Sequence, residues 1–288
     1  MTKKVKKPSQ SLRIPRIIVL ISKFFALIST KLVTIFASKL FTTPIKHKVP
    51  KRELEMDRKS SQNLIVVPSI NKSVMLYKYG TSDKKILLVH GWSGRGTQLF
   101  KIADALIKEG YATISFDAPA HGKSPGNTTI MVDFIASILE IDKQFGPFDA
   151  VIGHSLGGMA VLNAIKSGFT VANATIIGSG DIVQDILEDF ISKLELKPAI
   201  GLSLRLHFEK KYKENMDSFS AYRAAEKITI PVLVIHDNDD HEVPSKAGIH
   251  IHKHLKNGEL MLTNGLGHRK ILGDTTVIKK IIEFIGTK

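Results

Sequence analysis

At 288 residues the chain is long enough for one large single-cored domain, or a core with a small appendage, and 43% hydrophobic with 24% charged residues exclude wholesale disorder. The absence of cysteine excludes disulfides, thiolate metal sites and a cysteine nucleophile. The net charge of +14 is concentrated at one end, with fifteen Lys/Arg against three Asp/Glu in residues 1–60 and near balance beyond, which argues against nucleic acid as a partner and for a basic N-terminal segment facing an anionic surface.

Residues 1–11 read as a disordered basic tail carrying Lys3, Lys4, Lys6 and Lys7. Residues 12–43 are apolar but punctuated by Arg16, Lys23, Lys31 and Lys39, too often for a spanning helix and too early for the core of a secretory signal. An amphipathic helix fits the spacing. Arg16, Lys23, Thr30, Lys31, Thr34, Ser38 and Lys39 fall on one side, and Ile17, Phe24, Phe25, Ile28, Leu32, Ile35, Phe36 and Leu40 on the other. Two placements stay open for it, docking on the body of the protein and peripheral contact with a membrane, with a signal or spanning helix as the third reading of the segment. Residues 44–61 form a charged connector with Pro44 and Pro50, so residues 1–61 make up a tail, helix and linker.

From residue 62 the pattern alternates. Strand-like runs at 63–67, 73–79, 85–90, 111–116, 149–153, 173–178, 230–236 and 259–263 are separated by helical spacing at 98–109, 128–145, 156–167, 244–256 and 275–286. The first two strands adjoin without a helix, which predicts an antiparallel hairpin; the later alternation predicts parallel pairing. Residues 181–227 interrupt this with helical pieces and no strand, and read as a helical cap inserted into a core of 62–180 and 228–288.

The chemistry-bearing motif is Gly153-His154-Ser155-Leu156-Gly157-Gly158, between an apolar strand and a helix. A serine on so sharp a turn stands clear of the backbone. Glycines beside it avoid clashes with neighbouring elements, and the Leu156 N–H at the helix start points toward a developing oxyanion. On this motif and four others in order, the chain resembles the α/β-hydrolase superfamily over roughly residues 62–286. The four are His90-Gly91-Trp92 after a strand, Asp117-Ala118-Pro119-Ala120-His121-Gly122-Lys123-Ser124, Asp240 with two residues between it and Val243-Pro244 as the acid position, and Gly265-Leu266-Gly267-His268. Ala120 stands where the family usually has glycine.

The resemblance implies an α/β fold with a mostly parallel eight-stranded sheet flanked by helices. It implies Ser155 as nucleophile, His268 as base, Asp240 as orienting acid, and the Trp92 and Leu156 backbone N–H groups as oxyanion hole. Gly153, His154, Gly157, His90 and Gly91 would support the elbow and its facing loop. Asp237 remains the alternative acid, with orientation of its loop through backbone amides as its other role. His250 and His254 share a helical face, but no motif of a metal site accompanies them, and neither metal nor cofactor is expected.

A serine nucleophile argues against haloalkane dehalogenase chemistry, where the family places an aspartate. The implied activity is hydrolysis of a carboxylic ester with a small or medium apolar acyl group, the cap residues Ile182, Val183, Ile186, Leu187, Phe190, Ile191 and Leu194 being apolar enough to cover an acyl pocket. A thioesterase or acyltransferase, or a non-catalytic membrane-associated binding protein, are the alternatives. The expected partner is a small-molecule ester or acyl substrate. The expected location is cytoplasmic with membrane association, and the oligomeric state stays open.

Overall fold

A computed structural model describes residues 14–286, so the predicted basic tail of residues 1–11 lies outside the described residues. Two compact units are present, one formed by residues up to Phe41 together with Val183–Met216, the other by Thr42–Ile182 with Asp217–Lys288.

The larger unit is built on eight strands: β1 (Ser61–Val67), β2 (Lys72–Tyr79), β3 (Lys85–Val89), β4 (Ala112–Asp117), β5 (Phe148–His154), β6 (Val171–Ile177), β7 (Val232–Asp237) and β8 (Gly258–Thr263). They lie in the order β1-β2-β4-β3-β5-β6-β7-β8. β1 and β2 pair antiparallel, as do β2 and β4, and every pairing from β4 through β3 to β8 is parallel. β4 is buried along its length, as a strand covered on both faces must be, although its sequence alternates Ala112, Ile114 and Phe116 with the polar Thr113, Ser115 and Asp117. The apolar rows Ile86/Leu88, Ala150/Ile152 and Leu233/Ile235 face one side of the sheet and meet Ile102 and Leu106 of the helix Phe100–Lys108, and Val277 and Ile281 of the helix Thr275–Gly286. Burying such side chains contributes about 1.5–3 kcal/mol each, which fixes the sheet as a rigid base for the loops at its carboxyl edge.

The smaller unit is helical. The predicted single amphipathic helix is two helices, α1 (Arg16–Ile28) and α2 (Thr30–Phe41), separated at Ser29, whose extended φ of −164° breaks the helical path. They group with α3 (Val183–Lys193) and α4 (Ala199–Tyr212). Val33 and Ala37 of α2 are fully buried, and the Phe41 ring lies 5.2 Å from Phe190 and 5.7 Å from Phe208.

Two predicted boundaries shift accordingly. The inserted helical unit ends at Met216 rather than 227, because Asp181 binds the short helix Ala221–Ala225 into the larger unit: its carbonyl accepts the Ala221 N–H and its carboxylate the Tyr222 N–H. The connector 44–61 likewise carries structure of its own, a helical turn at Lys51–Glu53 and a helix at Leu54–Lys59, and belongs with the larger unit. Leu187, Ile191 and Leu194, three of the side chains assigned to an acyl pocket, are buried.

Candidate active site

β5 ends at the sharp turn foreseen from its glycines. Ser155 takes φ +55° and ψ −123°, a left-handed conformation costing of order 1–3 kcal/mol for a residue with a side chain. The surroundings hold it there. The Ser155 N–H donates to the Ile177 carbonyl, and the Gly158 N–H to the Ser155 carbonyl. A side chain at Gly153 would come within 2.6 Å of the Gly157 carbonyl oxygen, and one at Gly157 within 2.5 Å of the carbonyls of Val89 and His90. Leu156 opens the helix Leu156–Lys166, so its N–H is a first-turn donor without an intrahelical acceptor, at the end where the helix dipole is positive.

The facing loop after β3 is set by two buried histidines, each with a tautomer fixed by its partners. His90 Nε2 accepts the Ala118 N–H at 2.9 Å, so Nδ1 carries the proton and donates to the Gly91 carbonyl at 2.6 Å. His121 Nε2 accepts the Ser93 N–H at 2.9 Å, and Nδ1 donates to the Pro119 carbonyl at 3.1 Å. Burial is the main cause that keeps both neutral, pushing His121 down to about 4 and His90 well below its usual range. The backbone on either side of Trp92 is thereby fixed. A Cβ at Gly91 would lie 2.8 Å from the Ser155 Cβ, so the loop meets the serine at a distance only glycine permits.

Asp117 holds the same loop from below, accepting the Gly96 N–H, the Lys123 N–H and the Tyr77 hydroxyl. Ala120 adopts φ +64° in the position where the resemblance led one to expect glycine, and the tight turn forms nonetheless. Glu53, in the connector, is 2% exposed and pairs with Arg95 Nη1 at 2.8 Å and Thr97 Oγ1 at 2.8 Å. Thr97 therefore binds Glu53 through its side chain, and the following helix begins only at Phe100.

At the far side, His268 Nδ1 lies 2.7 Å from Asp240 Oδ2, and both side chains are buried. The other Asp240 oxygen accepts the N–H groups of Glu242 and Val243 at 2.8 and 2.9 Å. Burial alone would raise this carboxylic acid, but the His236 and His268 rings and the Val243 amide outweigh it and hold Asp240 far below the usual carboxylate range. His236 is wholly buried, its Nε2 donating to the Val243 carbonyl at 2.9 Å and lying 3.5 Å from Asp240 Oδ2.

Asp237 has a different set of partners. It accepts from the Thr263 hydroxyl and from the N–H groups of Asp239, Leu266 and Gly267, the last two in the turn that delivers His268. His154, next to the serine, donates from Nε2 to the His268 carbonyl at 2.9 Å, and burial pushes its pKa down to about 3. Gly178, at φ +55° after β6, would place a Cβ 3.2 Å from His268 Nδ1. Among the described residues, no hydrogen bond joins the Ser155 hydroxyl to His268; such contacts often close only around substrate.

Sequence reasoning missed three of these residues. Gly178 carried a signal, a glycine directly after an apolar strand at the carboxyl edge of a parallel sheet. Glu53 and His236 carried none, since nothing local marks an acidic residue in a charged connector, or a histidine at a strand end, as buried. His250 donates to Asp181 at 2.6 Å, and His254 donates to the His250 carbonyl.

A sequence profile of the alpha/beta hydrolase family matches residues 86–269. No curated protein matches the sequence. Similar solved structures include an esterase from Pyrococcus furiosus (18% identity, TM-score 0.64, 85% of this chain and 96% of that one). An esterase from Exiguobacterium antarcticum is also similar (15% identity, TM-score 0.63, 79% of this chain and all of that one), as is a bromoperoxidase from Bacillus anthracis (16% identity, TM-score 0.61, 79% and 100%). At these identities the structures speak for the fold, whereas the profile spans well over half of the sequence and includes the elbow, both aspartates and His268. The chain belongs to the alpha/beta hydrolase family.

Proposed function

We propose that the protein is a serine hydrolase that cleaves a carboxylic ester with a small or medium apolar acyl group through Ser155, His268 and Asp240. The observation that carries this is the buried 2.7 Å contact of His268 Nδ1 with Asp240, whose second oxygen is occupied by two backbone amides. A carboxylate held so firmly in its charged form accepts the hydrogen bond of Nδ1–H, leaves Nε2 as the base, and stabilises the imidazolium once Nε2 is protonated.

In this reading Ser155 Oγ attacks the ester carbonyl carbon as its proton passes to His268 Nε2. The oxyanion is held by the N–H groups of Trp92 and Leu156, a donor of this kind contributing about 3–4 kcal/mol to the transition state. The tetrahedral intermediate collapses with loss of the alcohol, which takes the proton from His268. Water, deprotonated by His268, then cleaves the acyl-enzyme. Two of the similar structures are named esterases, which agrees with an ester as the proposed substrate class.

Fluorophosphonate labelling with mapping of the adduct tests the proposal, together with hydrolysis of p-nitrophenyl esters from acetate to laurate. A single adduct on Ser155, lost in Ser155→Ala and strongly slowed in His268→Ala, is expected, with turnover best on the short and medium esters. A folded protein that neither labels nor hydrolyses any of them overturns it.

A further inference from the structure

α1 is turned the wrong way for a helix whose only neighbours are protein. Ile17, Leu20, Phe24, Leu27 and Ile28 are exposed, Leu27 to 87%. At 100° per residue they occupy one arc of about 100°. The side turned inward is less apolar: Val19 and Ser22 are its buried residues, and α2 buries Thr34 and Ser38 along with Val33 and Ala37. Ile35 of α2 and Leu202 and Leu206 of α4 are exposed in the same helical unit. A water-facing helix buries its apolar stripe, so this stripe is built for another medium.

The charge indicates which medium. Arg16 and Lys23 lie together along one edge of the arc and share Glu195, at 2.8 and 2.5 Å. Lys3, Lys4, Lys6, Lys7 and Arg13 precede the helix in the sequence, within the N-terminal stretch that holds fifteen of the basic residues. α1 is 13 residues, about 20 Å long, and no helix among the described residues is long and apolar enough to cross a membrane. A short helix with an outward apolar stripe, a basic edge and a basic lead-in is suited to lie in the headgroup region of an anionic bilayer. Pairing the same face with a second copy would bring two strongly basic segments together, against their repulsion.

We infer that the outward face of α1 docks the protein on an anionic lipid bilayer, with Leu20, Phe24 and Leu27 entering the acyl boundary. The cysteine-free sequence makes the test direct. Full-length Leu27→Cys carrying an environment-sensitive nitrobenzoxadiazole label is mixed with vesicles of phosphatidylcholine and phosphatidylglycerol at 7:3, and with phosphatidylcholine alone. A blue shift and brightening with the anionic vesicles only, reversed by 0.5 M salt, is expected.

In a sedimentation assay on unlabelled protein, Phe24→Asp/Leu27→Asp should lower partitioning at least tenfold with an unchanged circular dichroism spectrum and melting temperature. No spectral change with either vesicle overturns the inference, as does equal binding to neutral vesicles or undiminished binding of the double variant. A dimer in light scattering that this variant dissolves overturns it too, in favour of a second copy.

Discussion

Asp237→Ala and Asp240→Asn should fail in different ways, although the two side chains arise three positions apart. Asp240→Asn keeps the shape of the acid but removes the charge that accepts the hydrogen bond of His268 Nδ1–H. In a serine triad that change lowers kcat by about 10⁴, and ester hydrolysis should fall on that scale while the melting temperature moves little. Asp237→Ala instead strands a hydroxyl and three backbone amides. At about 1–3 kcal/mol for a buried group left unpaired, the urea midpoint should drop clearly, with activity falling because the His268 turn is released. Gly178→Ala belongs to the same scale. A methyl group 3.2 Å from His268 Nδ1 on a left-handed residue should displace the ring, lowering turnover more than stability. At this scale the motifs made Ser155, His268 and Asp240 legible because each lies in a local pattern of strand, glycine and turn. Asp237 was readable as a turn former, but its reach to residues 263–267 is a matter of tertiary position, which no local window contains.

Among elements, the sequence revealed the strands of the sheet and their direction, since apolar runs punctuated by Gly have few other solutions. It did not reveal which helices pair with which. α1 and α2 were read as one helix because the 3.6-residue spacing runs through Ser29 almost unbroken, and their grouping with α3 and α4 joins segments more than 140 positions apart. The connector carries a similar long-range tie. Glu53 and Arg95 are 2% and 12% exposed at their side chains and pair at 2.8 Å. Removing either partner alone leaves a buried charge unmatched, so Glu53→Ala and Arg95→Ala should each cost about 3–5 kcal/mol. The double variant should cost less than their sum, which urea denaturation of all four proteins would measure. A loop loosened in this way also carries Trp92, so fluorophosphonate labelling should slow in the single variants.

For the molecule as a whole, the buried neutral histidines set the response to acid. His121 and His154 are pushed down to about 4 and about 3, and His90 well below normal, whereas in the unfolded chain a histidine titrates near 6.5. The stability they supply is complete above about pH 6.5 and is lost as the pH falls toward their folded values, because only the unfolded chain takes up the protons. His121 and His154 should each cost about 2 kcal/mol by pH 5, and melting temperatures measured from pH 7.5 to 5 should fall accordingly. His154→Gln should flatten that slope by one proton.

The sheet order has a kinetic corollary. Ser155 stands at the end of β5, between strands on both sides, whereas the turn bearing His268 follows β8, an edge strand with partly exposed side chains on both faces. Amide exchange in edge elements proceeds through openings that cost less than global unfolding. Ser155 and His268, the proposed nucleophile and base, thus sit in regions with different opening free energies. On gradual warming His268 should be lost from its place first, so that the proposed ester hydrolysis decays while the emission of the single tryptophan, Trp92, is still native. Cooling from that interval should restore it in full.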